Sequence, residues 1–231
     1  MILNEDRDVI NYSSFFSNKK LFYLTFKNNN KHSLQEFHNI LSDEYQIDLS
    51  KIARCNQIHS NHVLYIDKPG LYNDIDGLIT NIRNDVILQI QTADCVPVFL
   101  YDRKTENIGL IHSGWKGTHN EIVLNALEVL KSNNSDLRNI VVVLGPFIKS
   151  CCFEVKNNVA QYFNSKYIIN NEDKIYIDLG SKIKDDLLSK GVLKNNIFIS
   201  AICTKHDLNC NSYRRDGNDS GRMYSLIFNE R

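Results

Sequence analysis

Three side chains of this sequence could together hold a metal ion: His59 in NQIHS, Cys95 in TADCVP and His112 in GLIHSG. Two imidazoles and a thiolate, with a fourth position left for water, form a donor set for catalytic zinc. The three lie 36 and 17 positions apart (59 to 95, 95 to 112), so no spacing motif carries them. Each falls at a turn or a strand end, which would let them converge at one rim of a sheet. By residue type alone a structural alternative stands beside this reading and is the commoner one. A buried Cys is usually a small hydrophobe, and a turn His is usually solvated.

Other residues offer weaker chemistry. In SGWKGT, glycines flank Trp115 and Lys116, and a helix N-terminus follows; an anion could sit there against Lys116, or the segment is a tight turn with a solvated lysine. SYRRDG places Arg214 and Arg215 side by side, suited to clamping a phosphate or to facing opposite sides of a loop. Asp94 beside Cys95 could be a general acid/base or could orient a ligand histidine, and an ordinary turn aspartate is the alternative. Glu154 and Asp76 read as a strand-edge carboxylate and a turn aspartate.

The elements that must position these residues alternate irregularly. LFYLTF (21–26) reads as a strand, and 33–45 as a helix opened by a capping box of Ser33 with Glu36. Two β-type runs at 51–58 and 62–66 flank the turn that carries His59, and the DIDGLITN segment (74–81) follows. VILQIQ (86–91) and VPVFLYD (96–102) flank the TAD turn, with Pro97 pushing the second toward a sheet edge or its own first residues. NIGLIH (107–112) is a third strand. Thr118 with Glu121 suggests a second capping box, and Ile122, Val123, Ala126, Leu127 and Leu130 form a helical stripe to about residue 132. Beyond it come the strand NIVVVLG, a loop GPFIKSCC, a helix near 157–165, the strand KIYID and a helix from about 179 to Lys190 stopped by Gly191. The strand NIFISAIC, a polar loop and the strand RMYSLIF complete the series. Strands and helices interleave without a βαβ rhythm, which predicts a layered α+β domain rather than a doubly wound sheet.

Composition narrows the class. At 231 residues the chain can bury a core without staples, and without repeats or linkers 1–231 reads as one domain. Lys plus Arg equals Asp plus Glu at 27 each, which disfavours nucleic acid and anionic membrane as partners. No membrane span and no basic leader are legible, so a cytoplasmic location is expected. The six cysteines, at 55, 95, 151, 152, 203 and 210, show no framework spacing and read as thiols, with Cys151 and Cys152 in the core or lining a pocket. The zinc-deaminase, H-E-x-x-H, phosphate-loop and dinucleotide signatures are absent.

Taken in order, NQIHS, DGLITN, TADCVPVFLYD, IGLIHSGWKG, GPFIKSCCFEV, SYRRDG and GRMYSLIF resemble the YfiH family, also labelled laccase-domain or polyphenol oxidase and, more recently, purine nucleoside phosphorylase. The resemblance runs from about residue 52 to 231. It implies a sandwich of layered mixed sheets flanked by helices, and metal ligands at His59, Cys95 and His112 binding zinc. The implied activities are phosphorolysis of adenosine, inosine and S-methyl-5′-thioadenosine, with adenosine deamination, so a purine nucleoside and phosphate are the expected partners.

In that frame Asp94 is the candidate proton shuttle, and Arg54, Lys116 and Arg215 are the candidate cations around phosphate. The alternatives are a copper-dependent phenol oxidase and a hydrolase with Cys95 as nucleophile and His112 as base. Copper fits less well than zinc: oxygen reduction to water needs several coppers and many histidines, and the chain has seven. The sequence departs from the family pattern in a shortened N-terminal segment, FKNNNKHSLQEF, in Lys116 where arginine is frequent, and in Asn211 where an aromatic is common.

Overall fold

In a computed structural model that describes residues 9–15, 21–27 and 32–229, the chain begins with β1 (Val9–Asn11), β2 (Leu21–Phe26), α1 (Leu34–Asp43), β3 (Ile52–Asn56) and β4 (Val63–Tyr65). Next come β5 (Gly70–Asn73), β6 (Gly77–Asn81), β7 (Ile87–Thr92), β8 (Val96–Asp102), β9 (Asn107–Ser113), α2 (Trp115–His119) and α3 (Ile122–Ser132). The remaining elements are β10 (Ile140–Leu144), β11 (Glu154–Val155), α4 (Asn157–Ala160), β12 (Ile168–Asn171), β13 (Lys174–Ile177), α5 (Leu179–Ser189), β14 (Ile197–Ile199), α6 (Tyr213–Asp216) and β15 (Met223–Asn229).

Two mixed six-stranded sheets carry the fold, in the orders β1-β2-β15-β7-β3-β5 and β14-β10-β8-β9-β6-β4, with a small antiparallel sheet β11-β13-β12. The layering follows from which face of each strand is apolar. In β8, Val96, Val98 and Leu100 join the core shared with α3 and α5, while Phe99 and Tyr101 face the core between the two large sheets. β10 repeats this: Ile140, Val142 and Leu144 point to the helices, and Val141 and Val143 to the other sheet. A strand buried on both faces needs a continuous apolar run, which is why neither sequence alternates. On the outer face of the first sheet, Leu24, Phe26, Tyr224 and Leu226 pack with Phe37 and Leu41 of α1. The order is therefore helix, sheet, sheet, helices, an α+β sandwich of layered mixed sheets.

Ser33 caps α1 as its sequence predicts, accepting from Glu36 N–H at 3.3 Å while Glu36 Oε2 accepts from Ser33 N–H at 2.8 Å. The apolar stripe of α3 is buried in full. Thr118 caps nothing: it lies inside α2, its hydroxyl 2.8 Å from that of Ser113, and Glu121 adopts a left-handed φ of 61° that separates α2 from α3. β8 is central rather than an edge, and Pro97 is tolerated because it stands second in the strand. The helix near 157–165 is the single turn α4, interrupted where Asn164 caps a short 3-10 turn. β1, β5, β11 and β12 were not legible; each is short and lies at a sheet edge.

Candidate functional site

The hub of the site is Asp76, which directly precedes β6 and is fully buried. Its carboxylate accepts from the backbone N–H groups of Ile58 (3.2 Å), His59 (3.0 Å) and Ser60 (2.6 Å) and from the Ser60 hydroxyl (2.7 Å). It also accepts from His112 Nδ1 at 2.7 Å. One side chain thus folds the loop after β3 over the end of β9. Burial works against a charged Asp76, but the bonds from His112 and Ser60 outweigh it and hold the carboxyl at about 2. With Nδ1 committed as donor, His112 Nε2 is left to face the site, the arrangement in which a carboxylate orients a ligand histidine.

The other two members arrive from turns in unusual backbone conformations. His59 sits at φ 60°, and Asp94, next to Cys95, at φ 80°. His59 Nε2 lies 3.9 Å from Cys95 Sγ, and the His59 and His112 rings are 4.8 Å apart between centroids. One ligand atom from each of His59, Cys95 and His112 falls within 4.8 Å of the other two. Gly114 leaves the room they need, since a Cβ there would come within 2.9 Å of the His59 ring and 3.0 Å of Cys95 Sγ. Burial raises the Cys95 thiol, but His112 and His59 outweigh it and bring it down to about 6. Burial likewise opposes charge on His112, and the Cys95 thiolate and Asp76 raise it to about 9.

The trio forms one wall of a cleft of about 550 Å³. Trp115, Ile148, Phe153 and Tyr213 supply its apolar and aromatic surface, and Arg214 and Arg222 its cations. Gln57 ties the floor together, donating to Gln91 O (2.8 Å) and accepting from Gln91 N–H (2.9 Å).

The remaining expected site residues are distributed otherwise. Asp94 lines the cleft, yet its two oxygens already accept from the Thr204 hydroxyl (2.6 Å) and Arg214 N–H (2.7 Å), so it anchors walls rather than standing ready to move protons. It is Asp76, not Asp94, that hydrogen-bonds His112. None of Arg54, Lys116 and Arg215 lines the cleft. Arg54, on β3, borders a separate recess with Leu34 and Gln89. Lys116 is exposed on α2, with Nζ 5.7 Å from the Trp115 ring. Arg215 clamps the carbonyls of Thr204, Lys205, Asp207 and Cys210 and pairs with Asp216. In the single turn α6 the adjacent arginines point apart, Arg214 to Cys152 O and Glu154 O at the cleft and Arg215 to the loop carbonyls. Cys151 is exposed rather than core or pocket-lining, and Cys152 is buried in the core.

Comparison with known proteins agrees with this architecture. A purine nucleoside phosphorylase of Clostridium acetobutylicum is 35% identical over 191 residues, covering 78% of each chain. One from Borreliella burgdorferi is 34% identical over 187 residues (77% of this chain, 79% of the relative), and one from Staphylococcus aureus 33% over 214 residues (85% and 78%). Among solved structures, YfiH of Bacillus licheniformis superposes with a TM-score of 0.81 at 25% identity over 91% of this chain and 93% of that one. YlmD of Geobacillus stearothermophilus reaches 0.84 at 22% identity over 92% and 93%. The family model described as multi-copper polyphenol oxidoreductase laccase matches residues 21–230, and the chain therefore belongs to that family, the YfiH family.

Proposed function

We propose that the chain is a zinc-dependent purine nucleoside phosphorylase, cleaving adenosine, inosine and S-methyl-5′-thioadenosine to free base and (thio)ribose 1-phosphate, with adenosine deaminase activity as a second reaction. The observation that carries this reading is the placement of His59, Cys95 and His112 on the wall of a cleft that also presents aromatic rings and two arginines. The names of the relatives in Clostridium, Borreliella and Staphylococcus support it.

Two imidazole nitrogens and one thiolate, with one imidazole oriented by a carboxylate, suit zinc with an open position better than an assembly of several coppers. Bound by His59, Cys95 and His112, such an ion would supply Lewis-acid chemistry beside the substrate. The rest of the task falls to the chain. Phe153, Trp115 and Tyr213 offer faces on which a purine can stack. Arg214 and Arg222 take the phosphate-binding role first expected of Arg54, Lys116 and Arg215. A phosphate oxygen forms its bond to C1′ as the bond from C1′ to the purine nitrogen breaks, and the electron pair leaves with the base. Arg214 is held for this by its own donations to Glu154 O (2.6 Å) and Cys152 O (3.4 Å), and Asp94 fixes its backbone. Asp94 accordingly acts by positioning.

Zinc-loaded protein should release hypoxanthine from inosine only when phosphate is supplied, and Cys95→Ala should abolish the release. No base release from zinc-loaded, phosphate-supplied protein would sink the proposal. A second reading, Cys95 as a nucleophile with His112 as its base, draws on the lowered thiol pKa of about 6. It requires iodoacetamide inactivation that added zinc does not prevent; protection of Cys95 by zinc rejects it.

A further inference from the structure

A second group of soft ligands lies beside the cleft and takes no part in the chemistry above. Cys151 and Cys152, in the turn after β10, meet Cys203 and His206, in the turn after β14. Cys151 Sγ is 3.8 Å from Cys152 Sγ and 3.9 Å from Cys203 Sγ, and Cys152 Sγ is 3.1 Å from His206 Nε2. One ligand atom from each of the four lies within 4.8 Å of the other three. Four ligands around zinc at about 2.3 Å for sulfur and about 2.0 Å for nitrogen stand about 3.5 to 3.8 Å from one another, so small side-chain shifts close this set into a tetrahedron.

We infer that Cys151, Cys152, Cys203 and His206 form a structural zinc site that staples the turn after β10 to the turn after β14. The backbone supports it: the N–H of Lys149 donates to Cys203 Sγ at 3.5 Å, as amides do around a metal-bound thiolate. The two turns are already adjacent through the bridge of Phe147 with Cys203. With four protein ligands the site has no open position and no catalytic role of its own. Its effect is on the cleft wall. Ile148 and Phe153 flank the two cysteines, Thr204 next to Cys203 holds Asp94, and Cys152 O accepts from Arg214. The inference uses none of His59, Cys95 and His112 and stands whether or not that trio binds metal.

Cobalt(II) titration of the full chain carrying Cys95→Ala, which silences the first trio, tests it. One equivalent should bind with thiolate-to-cobalt charge-transfer absorbance and the intense visible bands of a tetrahedral site, and zinc should displace it. Adding Cys203→Ser should remove the bands. Adding His206→Ala, at an exposed position, should leave the circular dichroism spectrum unchanged and weaken cobalt binding at least about tenfold. The inference is overturned if Cys95→Ala binds neither cobalt nor zinc after dialysis, or if bound metal is unaffected by both second substitutions. It is equally overturned if peptide mapping of the native protein finds Cys151 and Cys203 joined as a disulfide, the linked peptides two hydrogens lighter than their sum.

Discussion

At the scale of single residues, Asp76 ties the candidate centre together, joining the His59 loop to His112 through one carboxylate. A carboxylate that accepts from three backbone amides, a hydroxyl and His112 cannot be matched by an amide, which has one acceptor oxygen. Asp76→Asn should weaken zinc binding by about 10- to 100-fold, measured by competition with a chromophoric chelator. Because the folded pKa of Asp76 is depressed to about 2, its contribution to stability is present above the unfolded value of about 4 and disappears as pH falls from there toward 2. The Cys95 thiol provides a second test. Its folded pKa, about 6, lies below the ordinary value of about 8.5, so in metal-stripped protein the rate of iodoacetamide alkylation should rise with pH through a midpoint near 6. The Cys95 contribution to stability, present at higher pH, should be lost as pH falls through that value. A midpoint above 8 would show that the pairing with His112 and His59 does not operate in solution. The cations separate in the same way. Arg222→Ala should raise KM for phosphate by about tenfold, a loss of about 1.4 kcal/mol, while Lys116→Ala and Arg54→Ala leave it unchanged.

At the scale of elements, the candidate ligands are set by where strands stop. His112 is the penultimate residue of β9, Cys95 immediately precedes β8, and these neighbours pair in antiparallel register, with Pro97 opposite His112. Their convergence is therefore built into one hairpin, and its register rests on the apolar residues that face α3. Leu127→Ala in α3, at a fully buried position, should cost about 2 to 5 kcal/mol, read as a shift of the denaturant midpoint. These strands and the stripe of α3 were legible because double-sided burial writes a continuous apolar run and a helix face writes a 3.6-residue period. The Thr118 capping box misled because the same residue pattern serves a buried hydroxyl pair with Ser113. Arg214 and Arg222 were not selected as cleft cations, since which of two adjacent arginines faces a cleft depends on a single helical turn that leaves no periodicity.

At the scale of the whole molecule, the two sheets bring together what the sequence scatters. Ile58 to Ser60 leave the edge side of the first sheet, His112 and Asp76 belong to the second, and Asp76 joins them. The trio was legible as a set of donors and became specific through its family motifs; Asp76 lay within the quoted DGLITN motif and yet read as a turn residue, because burial is a property of the layered fold and not of its neighbours in sequence. β2, legible as the run LFYLTF, pairs along the length of β15, so the segment before residue 52 contributes to the first sheet. Among the described residues no helix is long and apolar enough to cross a membrane.

If His59, Cys95 and His112 hold the metal on which purine release depends, the decisive measurement is to strip the protein of metal, return zinc in measured steps and follow phosphate-dependent hypoxanthine release from inosine. Activity should rise with added zinc and saturate, and should not return in Cys95→Ala at any zinc concentration. Full activity in the stripped protein, or none at saturating zinc, would show that purine release does not depend on a metal held by this trio.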